Sequence, residues 1–271
     1  MTKDSGATHF GSRESIVAFL DILGYREFLN TNEPETAAEI SDSVIRQTPR
    51  AIKKSIMEDF NEDPSKWAEA REALDTMRII QFSDTILIML PISNANISVP
   101  VLFWLFGYIQ MLCYSFMMDG LPIRGGIAFG DVVFNNDIFA GKTIIEAHDF
   151  TTKLDLAAVA ISKTLAEKLD AKELLKPCID YGFVVEYRTP LKSEKEEDTY
   201  LVSPVFPGEL PADLCQWIVR SFSAHNKKLG LSVDRKIRNT EIFMRYSMSR
   251  REPPKEQIDR GPLAEEATNN K

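Results

Sequence analysis

Three observations predict an α+β fold of ferredoxin-like order with a C-terminal extension. Short apolar runs rich in β-branched residues recur at 15–20, 77–90 and 123–134, helical spacing separates them, and turn residues bound each run. In order along the chain they approximate β-α-β-β-α-β-β-α.

"SIVAFL" at 15–20 predicts a buried strand, and Ala37, Ile40, Val44, Ile52 and Ile56 predict helix from 34 to about 60. Pro49 has no backbone N–H to donate, so a kink or break is expected there. "NEDPSKWAEAREALD" predicts an exposed helix or excursion. "MRIIQFSDTILIML", 77–90, holds two apolar runs parted by Gln81, Ser83 and Asp84, which predicts a hairpin. Residues 99–118 are long and apolar enough to approach a membrane span. Gln110 interrupts them, Asp119 and Gly120 stop them, and no Lys/Arg cluster flanks them, so a buried core helix is expected and no span.

"LPIRGGIAFGDVVFNNDIF" predicts a second hairpin turning at Asn135 and Asn136. A helix from Gly141 to Lys153, a short strand at Val159–Ser162 leading into "SKTLAEKLDA", and a strand pair from "YGFVVEYR" and "TYLVSPV" follow. "CQWIVRSFSAHNKKLG" reads as an amphipathic helix. The division is a flexible N-terminus at 1–13, one domain with a C-terminal elaboration at 14–250, and a charged, disordered tail at 251–271. The start of the chain carries no apolar signal region.

With 271 residues, 44% hydrophobic content and a formal net charge of -8, the composition argues against nonspecific binding to nucleic acid or anionic lipid. Three dispersed cysteines and three histidines suggest neither disulfides nor zinc, and a reducing cytoplasm is expected. The "RGGIAFG" glycines do not form a GxxxxGK phosphate loop, and no nucleophile elbow is present.

Asp21 ends a core strand in "VAFLDILGYREFL". A carboxylate there either caps a turn or helix, or is stabilised by a bound cation. Asp84, brought alongside by the hairpin, is the expected second carboxylate. Such a pair, with the amides of the "ILGYR" turn facing phosphate, suits phosphoryl transfer.

In sequence order "FLDILGY", "FSD", "IRGGIAFGDVV", "GKTIIEAHDF" and "VAIS" resemble the catalytic domain of class III nucleotide cyclases over about residues 14–165. The nearest subgroup is the pyrimidine cyclases of bacterial Pycsar antiphage systems. The resemblance implies a central, mostly antiparallel sheet with flanking helices, and a homodimer with both active sites at the subunit interface. It implies two Mg²⁺ or Mn²⁺ ions held by Asp21, the Ile22 carbonyl and Asp84, with the triphosphate at Ile22, Leu23, Gly24 and Tyr25. Arg26 is a further substrate-binding candidate.

Where purine cyclases carry a base-reading Lys and Asp, the alignment puts Ile80 and Ile138, which cannot satisfy a purine edge. Ile145 and Asp149 stand where those enzymes carry an Asn and an Arg. A substitute cation is then needed, with Arg26, Arg78, Arg124, Lys142 and Lys153 as candidates and Arg124 foremost, beside two glycines. His148 is expected to be a polar helix or interface position. The implied activity is UTP to cyclic UMP, with the product sensed by a separate effector in phage defence. CTP, a purine substrate and a catalytically silent nucleotide-binding module are the alternatives.

Overall fold

The computed structural model describes residues 12–61, 67–92, 97–135, 138–205 and 211–250. Its strands are β1 (Ser12–Ile22), β2 (Arg78–Phe82), β3 (Thr85–Pro91), β4 (Ile123–Asn135), β5 (Ile138–Ala140), β6 (Val159–Ile161), β7 (Val184–Pro190) and β8 (Glu196–Val202). Its α-helices are α1 (Tyr25–Thr31), α2 (Pro34–Ile40), α3 (Thr48–Asp59), α4 (Ala68–Thr76), α5 (Val99–Met118), α6 (Lys142–Lys153), α7 (Lys163–Asp170), α8 (Leu175–Asp180), α9 (Leu214–Ser223) and α10 (Leu231–Ser249). The strands form one sheet in the order β2-β3-β1-β4-β6-β8-β7, with β5 paired to β4. All strand pairs are antiparallel except β4 with β6. This is a mixed α+β fold with a central, mostly antiparallel sheet and flanking helices.

Alternation along β1 sorts its side chains between the two faces. Ile16, Ala18, Leu20 and Ile22 join the main core, beneath α5. Val17 and Phe19 join the smaller cluster on the opposite face, and Asp21 shares their parity. On β4 the same period sends Ile123 and Ile127 to the main core and Ala128 and Val132 to the second face. Gly126 lets α6 approach that second face: a Cβ there would lie 2.4 Å from the Phe150 ring and 2.6 Å from the Ala147 carbonyl. A side chain at 126 would push α6 off the sheet.

The apolar segment 99–118 is a core helix. It is long and apolar enough to span a bilayer, yet 67% of its most apolar window is buried inside the protein. Gln110, the residue that interrupts it, donates to the carbonyls of Ser203 (2.7 Å) and Val205 (2.9 Å), so its buried amide is satisfied.

Several elements differ from expectation. β1 begins at Ser12, inside the segment read as a flexible lead-in, because Ser12 and Arg13 pair with Val133 and Val132. The break anticipated at Pro49 is a π-helical segment, Ser41–Gln47, that ends one residue before α3, whose second residue is Pro49. Val44 and Ile45 are buried there, so packing holds the widened turn. The helix read into 215–230 stops at Ser223. Beyond it His225 and Asn226 adopt left-handed backbone, with φ 57 and 61. α10 was not anticipated: its Phe243 and Met244 are buried, but in two different clusters, so no single apolar stripe announces it. Asn136 of the second hairpin and the tail at 251–271 lie outside the described residues.

Candidate active site

Asp21 sits opposite Thr85 of β3 and Arg124 of β4. Alternation puts Asp21 and Arg124 on the same face, and the guanidinium donates to Asp21 Oδ2 from Nη2 (3.1 Å) and Nε (3.3 Å). Both side chains are largely sheltered, at 13% and 23% exposure. Arg124 also donates to the Leu154 carbonyl at 3.4 Å.

Asp84 closes the turn between β2 and β3, where Ser83 adopts φ 55. Its backbone carbonyl accepts from the Ile22 amide at 3.0 Å, which ties the hairpin to the end of β1. The two aspartates therefore lie at the same end of the β1–β3 ladder, near enough for the charge of Asp84 to act on Asp21. Burial pushes the Asp21 carboxyl above its usual range; the charge and hydrogen bonds of Arg124 oppose this, Asp84 adds to it and Lys192 opposes it.

Asp21, Asp84 and the Ile22 carbonyl are hard oxygen donors that suit Mg²⁺ or Mn²⁺. Among the described residues no group of three or more His, Cys, Asp or Glu could hold a metal alone. Two carboxylates with the remaining positions left to water and substrate phosphate fit the way Mg²⁺ is bound beside nucleotides. The site's residues thus fit such ions.

The turn after β1 departs from expectation. The Ile22 and Leu23 amides, expected to face phosphate, donate to the carbonyls of Asp84 (3.0 Å) and Pro122 (2.8 Å). The Leu23 side chain is buried among Met117, Leu214, Ile218 and Phe222. Gly24 is exposed and left-handed, φ 76, and caps α1. Tyr25, a candidate base or phosphate contact, packs: it is 9% exposed, its hydroxyl lies 3.2 Å from Ser41 Oγ and its ring tilts against Phe28. Arg26 is exposed on α1. Ile80 is half-buried on the second face beside Leu87 and Phe19. Ile138 pairs with Asn135 in β5. Ile145 is 63% exposed, Asp149 pairs with Lys153 at 3.6 Å, and the His148 ring meets Phe19 edge-on at 4.8 Å.

Sequence reasoning missed a basic wall on the other side of Gly24. A cavity of about 270 Å³ is lined by Leu23, Gly24 and Arg124 together with Lys192, Lys227, Lys228 and Lys236. It missed Asp155 too, which is 1% exposed and ion-paired with Arg235 and, at 3.6 Å, Lys236, and which accepts from Asn239. Asp155 anchors the second and third turns of α10. The one available signal was a cluster of cations, "HNKKLG", in an acidic chain.

No family model and no curated protein matches the chain. Among solved structures it is similar to a bacterial light-regulated adenylyl cyclase, with TM-score 0.46 and 10% identity, covering 81% of this chain and 59% of that one. It is similar also to the catalytic core of a rhodopsin-guanylyl cyclase with converted specificity, in complex with ATPαS, with TM-score 0.47, 14% identity and coverage of 72% and 98%. A third is the adenylyl cyclase CyaB from P. aeruginosa, with TM-score 0.41, 14% identity and coverage of 75% and 100%.

Proposed function

We propose that this protein is a nucleotide cyclase that converts UTP to cyclic UMP and pyrophosphate. The observation that carries the reading is the placing of Asp21 and Asp84 at the same end of the β1–β3 ladder, beside a cavity walled by cations. The order of sequence motifs that resembles class III cyclases supports it.

In the reaction the ribose 3′-oxygen attacks the α-phosphorus in line, the bond to the bridging oxygen breaks, pyrophosphate leaves, and the hydroxyl proton passes to water. Two Mg²⁺ or Mn²⁺ ions, when bound, supply charge stabilisation and acidify the hydroxyl. Asp21 and Asp84 hold and orient, and Arg124 shifts from Asp21 toward developing phosphate charge. Both guanidinium bonds fall on Asp21 Oδ2, so Oδ1 is the oxygen offered to a cation.

Ile80 and Ile138 favour a smaller base because they offer no partner to a purine edge. A second copy of the chain completes the site in this reading. The half-covered sheet face, with Phe19, Ile80, Phe134 and Phe139 only partly buried, supports that arrangement, and Phe82 beside it is 80% exposed. The cellular role is production of a cyclic-nucleotide signal for a separate effector in phage defence. One observation favours a silent binding module instead: Arg124 already neutralises Asp21.

The test is incubation of the purified protein with Mn²⁺ and each ribonucleoside triphosphate separately, with products identified by mass. Cyclic UMP in large excess is the expected result. Cyclic AMP or cyclic GMP overturns the base assignment, and no cyclic product from any nucleotide overturns the enzyme.

A further inference from the structure

The loop between α9 and α10 is held in an unusual conformation over the turn that follows β1. His225 and Asn226 are consecutive non-glycine residues with positive φ, 57 and 61. Such backbone persists only where its surroundings enforce it, and it clusters at functional sites. Here the enforcement comes from two segments distant in sequence. The His225 carbonyl accepts from Asn32 Nδ2 (2.7 Å) and Thr31 Oγ1 (3.2 Å), and its ring Nε2 lies 2.6 Å from the Asp119 carbonyl. Ala224 lies so close to Gly120 that a Cβ at 120 would sit 2.2 Å from it.

This clamp sets Lys227 against the turn. Its stem passes over Gly24, with Cδ 3.4 Å from where a Cβ would be. The residue is only 6% exposed, and its ammonium donates to the carbonyls of Gly120 (2.6 Å) and Ser221 (3.4 Å). Those partners are neutral, and among the described residues no carboxylate pairs with the ammonium. Burial alone pushes the Lys227 amine down to about 8. A buried cation without a counter-ion is costly, and an anion in the adjoining cavity relieves that cost.

The cavity has the matching character. Arg124, Lys192, Lys227, Lys228 and Lys236 line it against a single carboxylate, Glu27, in a chain whose formal net charge is -8. Burial pushes the Lys192 amine below its usual range, the charges on Arg124 and Lys236 add to this, and Asp21 and Asp155 oppose it. At about 270 Å³ the cavity lies below the ~300–1,000 Å³ of pockets for whole drug-sized ligands. That is space for a charged head group, with the rest of the ligand outside.

We infer that the C-terminal elaboration is part of the active site, and that Lys227, Lys228 and Lys236 of the α9–α10 region bind the polyphosphate of the substrate within the same subunit. The inference rests on the cyclase reading for the identity of the nucleotide and on the cavity alone for the polyphosphate. It assigns residues 213–250 the task of holding the leaving pyrophosphate, opposite the carboxylates that flank the reacting end.

The test is calorimetric titration of inorganic pyrophosphate into the full chain without metal, for wild type, Lys228→Gln and Lys236→Gln. Lys176→Gln, an exposed change on α8, is the control. The expected result is saturable binding that weakens tenfold or more in each of the first two variants and is unchanged in the control, with ligand-free melting showing that all are folded. No binding by wild type, or equal binding by all variants, overturns the inference. The four-nucleotide product assay on the same proteins separates it from the cyclase reading. Lysine-dependent pyrophosphate binding without any cyclic product sinks the enzyme and keeps the polyphosphate site. Cyclic product formed with unchanged KM in Lys228→Gln and Lys236→Gln keeps the enzyme and sinks the site.

Discussion

The two sides of the Gly24 turn are built in opposite ways. On one side Asp21 stands on β1 and Asp84 in the two-residue turn that joins β2 to β3, both placed by ladder register. On the other, Lys227 and Lys236 stand on a clamped loop and a helix that reach the turn from two hundred residues later in the chain. The acidic side is as rigid as the sheet. The basic side is as stable as the contacts that hold α9 and α10 down, which is where changes remote from the chemistry act on the site.

Three substitutions sharpen this contrast. The largest effect is expected from Asp84→Asn. The Asp84 backbone carbonyl that accepts from Ile22 is retained, so melting changes by no more than about 0.5 kcal/mol. Cyclase turnover falls by at least ~10²-fold, the scale of losing one positioned charge at a reacting centre. Turnover near wild type breaks the assignment of the acidic side.

Asp155→Ala comes next. It removes the carboxylate that pairs with Arg235 and Lys236 and accepts from Asn239. Loss of charge-assisted bonds at a buried group costs about 1.5–3 kcal/mol in denaturant unfolding. Because the element it anchors is α10, amide exchange is expected to rise along α10 and the 224–230 loop while the β1–β3 ladder stays protected. Uniform loss of protection would show that the two sides unfold as one.

Lys227→Met has the smallest effect and tests the buried charge. The folded amine, near 8, lies below its ordinary value of 10.5, so the unfolded chain binds more protons between those values and stability rises with pH there. Between pH 8 and pH 10 the wild type gains roughly 2 kcal/mol from this group relative to the variant. Parallel pH profiles for the two proteins would show that the ammonium is solvated.

The acidic side was legible because local pattern determines it. Asp21 continues the alternation of Val17 and Phe19, and two apolar runs separated by Ser83 and Asp84 form a hairpin wherever they are placed. The fate of Leu23 and Tyr25 was not legible. Each is apolar enough for core or ligand, and the choice was made by neighbours such as Phe222 and Ser41 that no spacing rule links to them. Ile80 stood out by its place in the cyclase resemblance and Arg124 by its two neighbouring glycines, and register on β2 and β4 decided what they touch.

By itself the sequence determined the succession of elements along the first half, the core helix at 99–118 and the presence of two carboxylates, one at a strand end and one in a hairpin turn. Periodicity and turn chemistry act over a few residues and need no knowledge of distant chain. Only the tertiary structure decided that the α9–α10 loop closes on Gly24 and Gly120. That contact depends on Ala224 fitting a glycine and on His225 bonding Asn32 and Asp119, pairings more than a hundred residues apart that leave no periodic trace.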